Sequence, residues 1–395
     1  MLNLENVSRE GIKPSKPGEQ LMQMNRPAFE PGSTPNVRRR QLLGAAAAVP
    51  TLLLMSMLPR AAPAQAEDVR GLFVLSSAER AAQIRERVSA GLADPIRALA
   101  DAGLAREPHP RAVVHTQGLL PKEQDHDASQ LSQEDWRQTL TQGLAWCITG
   151  NAAYAARAVA YINAWIPGYT PSFNPIDETD LVDLLLGFDF VQDRLPPSTV
   201  AQTRQLGREL ATGYLGARRA GDLSTGLNNW QSHRIKLATA GAWLSGDAAL
   251  IAAARAGFIA HVSSNIDGDG LTYDFNQRDA MHYVVYDLEP LLMAASIAAA
   301  HGDNWYGAVQ IEGRLAAALK WLAPFALGRE AHQEFVHSTV KFDARRAAAH
   351  VEGYAGLWQR HESSDLYWIA SRLDQAFLPV SNALEAKPVT RALFA

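Results

Sequence analysis

Two segments of this 395-residue chain carry polar side chains that a plain helical core does not require. Asn229 and His233 are four residues apart, so on a helix they share one face. Arg278, His282 and Tyr286 follow at further intervals of four and form one stripe. An amide, an imidazole, a guanidinium and a phenol suit the removal of a proton next to a carboxylate, because they can stabilise the anion and transfer the proton.

Each segment also has a purely structural interpretation. Asn228 or Asn229 can cap a helix N-terminus. The second segment can be the edge of a helix, with an exposed Arg278, a structural His282 and a core Tyr286. The occurrence of both segments in one chain favours the chemical interpretation.

The chemistry that fits these side chains is β-elimination from a 1,4-linked polyuronate. Asn and Arg would neutralise the C5 carboxylate as an enolate-like dianion forms, while His or Tyr takes the C5 proton. In mannuronate and glucuronate the C5 proton and the C4 oxygen lie on one ring face, so a single tyrosine can be base and acid. In guluronate they lie on opposite faces, and His would be the base with Tyr the acid.

The elements that must position these residues are helices. Apolar residues recur at intervals of three and four, with turn signals between the runs, and these features predict an all-α fold: an incomplete (α/α) barrel or toroid of stacked helical hairpins. Residues 107–132 are mostly polar and are predicted to form a long loop. The predicted helices span 77–103 with an interruption near Pro95, 132–149, 152–165, 177–193, 197–217, 229–245, 247–264, 280–301, 306–324, 345–360 and 364–377.

The N-terminal region is predicted to be an export signal and not part of the fold. Arg38-Arg39-Arg40-Gln41-Leu42-Leu43 precedes an apolar run, and Ala64-Gln65-Ala66 resembles a cleavage site. The arginine pair favours the twin-arginine export machinery, with an ordinary secretory signal or an N-terminal anchor as alternatives. We therefore expect residues 1–66 to be a signal with a disordered n-region and 67–395 to be one catalytic domain. The mature protein is expected to be periplasmic or secreted, without stable membrane insertion.

Charge and composition limit the partners. The chain has a net charge of −4, and residues 1–66 hold eight basic and four acidic residues, so 67–395 carries −8. This balance disfavours nucleic acid, and an anionic polysaccharide would need a locally positive groove. The chain has one cysteine and no recognisable P-loop, nucleophile elbow or metal-ligand frame, so no cofactor or metal is predicted.

The chain resembles the alginate lyase-like polysaccharide lyases, which are exported helical toroids. The resemblance runs from about Trp136 to Tyr306 and includes Leu144-Ala145-Trp146 to Asn151-Ala152-Ala153-Tyr154, Asn228-Asn229-Trp230, Asp267-Gly268-Asp269-Gly270, and Gln277-Arg278 to Leu288-Glu289-Pro290. It implies a catalytic group of Asn229, His233, Arg278 and Tyr286. In such lyases the His often follows the Asn directly, whereas here Trp230 stands at that position and His233 lies one turn later. The Arg–Tyr interval leaves Tyr283 as an alternative to Tyr286.

Further residues are predicted to contact sugar because of their type and their place in these segments. They are Lys122, Trp136, Trp230, Gln231, Arg234, His282 and Tyr283. Two other functions stay open from the sequence: a glycoside hydrolase with paired acids drawn from Asp177, Glu178, Asp180 and Asp183, and a non-catalytic periplasmic polysaccharide-binding protein.

Overall fold

The computed structural model describes residues 72–216, 225–385 and 387–394, and these residues form an all-helical fold. The export-signal prediction for residues 1–66 lies outside them. No strand occurs in these ranges, only two isolated β-bridges. The α-helices are α1 Ala78–Arg87, α2 Ala90–Gly103, α3 Gln124–Thr149, α4 Ala152–Trp165, α5 Leu181–Val191, α6 Pro197–Gly216, α7 Asn229–Ser245, α8 Ala248–Asn265, α9 Tyr273–Arg278, α10 Met281–Ala300, α11 Arg314–Ala326, α12 Lys341–Ala348, α13 Ser364–Leu373, α14 Leu378–Asn382 and α15 Pro388–Phe394.

The helices pack against one another in pairs, and glycines let two of these pairs, α3–α5 and α6–α7, approach closely. In the α3–α5 pair, a Cβ at Gly187 would lie 2.6 Å from the carbonyl carbon of Thr139. In the α6–α7 pair, a Cβ at Gly241 would overlap the carbonyl oxygen of Gly207. A larger residue at either position would push the helices apart, so these glycines set the spacing of the helices that carry the site.

Helix α10 lies at the centre of this arrangement. It packs against α7 on one side and α13 on the other. It is long and apolar enough to span a membrane, but 72% of its most apolar window is buried within the protein. Its apolar character is therefore accounted for by the core of the helical fold.

Several predicted boundaries are corrected by the structure. Helix α3 begins at Gln124, eight residues before the predicted start, so the predicted loop ends earlier. The predicted break near Pro95 falls instead at Val88 and Ser89, and Pro95 lies inside α2. The helix predicted over 345–360 is α12, which ends at Ala348 and is followed by Gly353 and Gly356 at φ 82° and 92°.

Two buried acids anchor the segment before α5. Asp177 accepts hydrogen bonds from the backbone N–H groups of Thr116 and Gln117 at 2.8 and 2.6 Å. Glu178 accepts hydrogen bonds from the hydroxyls of Tyr169 and Tyr214. Both carboxylates are thus committed to holding loops, which removes them from the acid pair considered for a hydrolase.

Candidate active site

Helix α7 positions three polar side chains on one face. Its N-cap is Asn228, whose side chain accepts a hydrogen bond from the backbone N–H of Trp230. Asn229, His233 and Lys236 then follow at i, i+4 and i+7, and all three are buried. The helix ends at Gly246 in the left-handed conformation, where glycine carries no steric cost.

Asn229 is held by an acid on the neighbouring helix α9. Its backbone N–H and its side-chain amide donate to the two oxygens of Asp274 at 2.6 and 2.8 Å. Burial raises the pKa of the Asp274 carboxyl to about 6, although Arg278 and Asn229 lower it. Asn229 therefore has a fixed orientation before any ligand binds.

Arg278 is similarly fixed. Its Nη1 donates to Asp343 on α12, and its Nε lies 3.4 Å from Asp274. The guanidinium also lies over the ring of Tyr283, 3.8 Å from its centroid, which is a cation–π contact. Two carboxylates and one aromatic face thus surround Arg278.

His233 and Tyr286 meet across the α7–α10 contact. Their ring centroids are 4.3 Å apart. His233 Nδ1 lies 2.7 Å from the hydroxyl of Thr179, which also accepts a hydrogen bond from Lys236 Nζ at 2.9 Å. Burial and the neighbouring Lys236 lower the pKa of His233 well below 6.5, so the imidazole is neutral at physiological pH. Burial, together with Asp180 and Tyr283, raises the pKa of Tyr286.

Two cavities adjoin at Tyr286. The Lys236 cavity, of about 600 Å³, is lined among others by His233, Lys236 and α15 residues such as Phe394. The Arg346 cavity, of about 240 Å³, is lined by Arg346, Tyr354 and loop residues including Gln117. Thr179, Asp180 and Tyr286 border both cavities. Tyr286 is thus placed where a ligand extending through both would pass.

The two cavities differ in charge. The Arg346 cavity is bordered by one guanidinium, that of Arg346, which donates to the Tyr283 hydroxyl at 2.7 Å, and by one carboxyl group, that of Asp180. The Lys236 cavity combines three basic side chains with four carboxyl groups. Burial raises the pKa of two of those carboxyls, Asp183 and Glu289, to about 7 each. Near neutral pH both are therefore partly protonated, which reduces the negative charge facing a ligand.

The structure brings some of the predicted binding residues to this site. Tyr283 joins Arg278 to Arg346, and its ring centroid is 6.1 Å from that of Tyr286. His282 stacks on Tyr286 at 6.2 Å, and its Nδ1 lies 2.9 Å from Glu362. These contacts place both side chains directly around Tyr286.

Other predicted binding residues lie elsewhere. Gln231 and Arg234 border a separate cavity of about 360 Å³, and Arg234 packs over half-buried Trp230. Lys122 is exposed at φ 76°, and its backbone N–H donates to Asp127. Trp136 is fully buried against Trp165 and Tyr169, so the prediction that it lines a sugar subsite is wrong.

Sequence reasoning missed several residues of the site. Thr179 and Arg346 stand in segments without a motif, and only the folded chain brings them to Tyr286. Lys236 carried a signal, because it is a charged residue in an otherwise apolar stretch of helix, three residues after His233. Among the residues that the structure describes, no group of three or more His, Cys, Asp or Glu side chains could hold a metal ion.

Comparison with known proteins decides the family. The sequence model of the family described as alginate lyase matches residues 85–332. The chain belongs to the alginate lyase family. It is therefore a polysaccharide lyase, and the two other functions left open by the sequence are set aside.

Solved structures agree with this family's helical toroid. An alginate lyase from Bacteroides ovatus is 17% identical, with a TM-score of 0.63, covering 82% of this chain and 99% of that one. Alginate lyase A1-III from Sphingomonas species A1 is 15% identical, with a TM-score of 0.56, covering 83% and 98%. A histidine-to-alanine variant of that enzyme, complexed with a tetrasaccharide, matches with a TM-score of 0.53 at 15% identity, covering 83% and 96%. No curated protein sequence matches this member of the family.

Proposed function

We propose that this alginate lyase family member cleaves a 1,4-linked polyuronate, either mannuronate-rich alginate or glucuronan, by β-elimination at Tyr286. The observation that carries the proposal is the position of Tyr286. It alone among the four predicted catalytic residues borders both cavities, and it lies against His233. A chain bound through both cavities would present a glycosidic bond to this phenol.

In the proposed reaction Tyr286 acts twice. Tyr286 first releases its phenol proton to solvent in the adjoining cavities. As a phenolate it then takes the C5 proton, while the electron pair of the C–H bond forms the C4–C5 double bond and the C4–O bond breaks. As a phenol it returns the proton to the leaving oxygen, so the enzyme regains its starting state. One residue serves both steps only when the proton and the leaving oxygen share a ring face, which favours mannuronate or glucuronate over guluronate.

The C5 carboxylate needs positive charge beside it. The guanidinium of Arg346 borders the cavity named after it. In the proposal this guanidinium contacts the C5 carboxylate of the substrate directly. Arg278 lies over the ring of Tyr283 and contacts Asp274 and Asp343, and Asn229 donates to Asp274. They contribute to neutralisation through these contacts, by keeping Tyr283 and Arg346 in place.

The test is product formation. Purified protein is incubated with polymannuronate, glucuronan, polyguluronate and a glycosaminoglycan, and the ultraviolet absorbance of the unsaturated uronate product is followed. We expect the fastest rise on polymannuronate or glucuronan. A folded protein that gives no unsaturated product on any of the four would contradict the proposal.

The N-terminal sequence also supports export, which we propose as part of the function. The pair Arg39-Arg40 before Gln41-Leu42-Leu43 fits a twin-arginine signal that delivers the folded lyase to the periplasm or beyond. Replacing both arginines by lysine is expected to leave the protein in the cytoplasmic fraction of the expressing bacterium. Unchanged export of the double variant would favour an ordinary secretory route.

A further inference from the structure

Thr179 lies in the turn before α5 and forms two hydrogen bonds with α7. Its hydroxyl oxygen is 2.9 Å from Lys236 Nζ and 2.7 Å from His233 Nδ1. Lys236 and His233 are three residues apart on one helix, so a single hydroxyl bridges them. The bridge stands at the wall of the Lys236 cavity beside Tyr286.

The directions of these hydrogen bonds follow from the groups involved. An ammonium group has three donors and no acceptor, so Lys236 must donate to the Thr179 oxygen. The hydroxyl has one proton of its own to place. Among the described residues its only remaining hydrogen-bond partner is His233 Nδ1, and this nitrogen can accept that proton only when it carries none itself.

Three carboxyl groups face Lys236 at the bridge, Asp180 and Asp183 from the α5 side and Glu289 from α10. Burial lowers the pKa of the amine overall, and Asp180, Glu289 and Asp183 oppose that shift. Burial is the larger cause of the low pKa of His233, and Lys236 adds to it. The imidazole is therefore neutral, and a neutral imidazole has two possible tautomers.

We propose that Lys236 and Thr179 are positioning residues that fix His233 as the neutral tautomer with its proton on Nε2. In this state His233 cannot take a proton at Nδ1, which is occupied, or at Nε2, which already carries one. Its Nε2–H is then available to stabilise the phenolate form of Tyr286, whose ring centroid lies 4.3 Å from that of His233. Proton abstraction then belongs to Tyr286.

The catalytic consequence of this inference rests on the proposed function. Either Tyr286 or His233 could be the base that takes the C5 proton, and each assignment requires a different tautomer of His233. A donor at Nε2 stabilises the Tyr286 phenolate, whose formation burial disfavours. A base at Nε2 would instead require the proton on Nδ1, donated to Thr179. The tautomer of His233 therefore separates the mannuronate-type mechanism from the guluronate-type mechanism without any substrate.

The direct test is ¹⁵N NMR of histidine-labelled full-length protein, with the His233 signals assigned by their loss in His233→Gln. We expect a neutral ring with Nε2 protonated and Nδ1 unprotonated. Thr179→Val removes the hydroxyl with little change of shape and should give a mixture of tautomers, while Thr179→Ser should keep the wild-type pattern. A proton on Nδ1 in the wild type would overturn the proposal, whether or not the enzyme turns over a polyuronate.

Kinetics give a second test. Thr179→Val should lower kcat by about tenfold to a hundredfold with KM little changed, a part of the about 10²–10⁴-fold that a positioned proton-transfer system supplies. Lys236→Met should act in the same direction, and Thr179→Ser should restore kcat. Exposed Lys320 on α11 provides the control, since Lys320→Met should leave kcat unchanged. Wild-type kcat in a folded Thr179→Val would also overturn the proposal.

Discussion

The two ends of the site are built differently. At the Asn229–Arg278 end, the carboxylates of Asp274 and Asp343 are buried, and they fix the amide and the guanidinium in place. At the His233–Tyr286 end, the Tyr286 hydroxyl makes no hydrogen bond to another described residue and borders two cavities. The first end resembles a preorganised support, whereas the second has hydrogen-bonding capacity left for a substrate.

The contrast teaches that residue type alone does not locate the reacting atoms. All four side chains were singled out by the same helical spacing, yet only His233 and Tyr286 line the Lys236 cavity. Substitutions at the supporting end should therefore reduce stability first. Those at the open end should reduce turnover while leaving stability unchanged.

The largest effect is expected at the open end. Tyr286→Phe removes the proposed base and acid, so kcat should fall by at least about 10²–10⁴-fold. Its Tm should stay unchanged, because the lost hydroxyl has no partner in the described part of the fold. Initial rates and thermal unfolding measure the two effects. Tyr306→Phe is the matched control, since that hydroxyl contacts Asp374 away from both cavities and its loss should spare kcat.

At the supporting end, Arg278→Met should destabilise the fold. It leaves the buried carboxylate of Asp274 without a cation and that of Asp343 with only Arg346 at 4.0 Å, and breaking a buried ion pair typically costs about 3–5 kcal/mol. Urea unfolding measures the loss. The control is Arg97→Met, which breaks an exposed pair with Asp94 and should change stability by less than about 1 kcal/mol. Equal losses in the two variants would remove the distinction between the ends.

The two tryptophans predicted to contact sugar should lose different amounts of stability when replaced by alanine. Trp136→Ala empties a fully buried position and should cost about 3–5 kcal/mol of stability with KM unchanged in the folded fraction. Trp230→Ala, at a half-buried position in the first turn of α7, should cost less stability. Unfolding midpoints and KM values for both variants check this. A raised KM in Trp136→Ala would restore it as a subsite residue.

The smallest effect concerns pH. The pKa of Glu289 is raised to about 7 by burial and by Asp365, so the folded state holds a proton that the unfolded state releases near its ordinary pKa of about 4.3. Its contribution to stability is therefore present at low pH and is lost as pH rises towards about 7. Glu289→Gln should have a shallower decline of the urea midpoint between about pH 5 and about pH 8. If the urea midpoint of Glu289→Gln declines with pH as steeply as that of the wild type, Glu289 is not the group that causes the decline.

The sequence predicted the helices well where caps and periodicity agreed. The bounds of α7 were predicted as observed, because Asn228 caps its start and Gly246 ends it. The start of α3 was missed because its first turns are polar and Glu123 provides no side-chain cap. The helix near Val309 was misplaced because Gly313, at φ 70°, separates a short 3₁₀ turn from α11.

The sequence predicted those site residues that lie close together on a single helix, but not those that tertiary packing brings to the site. Spacing on one helix identified His233, and the stripe on α10 identified Tyr286. Thr179 and Arg346 reach the site through tertiary packing from segments far away in sequence, so periodicity could not reveal them. The pairing of Arg278 with Asp343 is likewise a contact across 65 residues, and it changes which arginine faces the cavity.

The central claim is that a uronate chain crosses Tyr286 with its scissile bond at the phenol. The most direct measurement is a crystal structure of Tyr286→Phe with a mannuronate tetrasaccharide bound. We predict sugar in both cavities, with the C5 and the C4 oxygen of one linkage on the same side, facing the edge of Phe at 286, and the C5 carboxylate on Arg346. An oligosaccharide that lies clear of residue 286, or whose scissile carboxylate contacts only other side chains, would contradict the account.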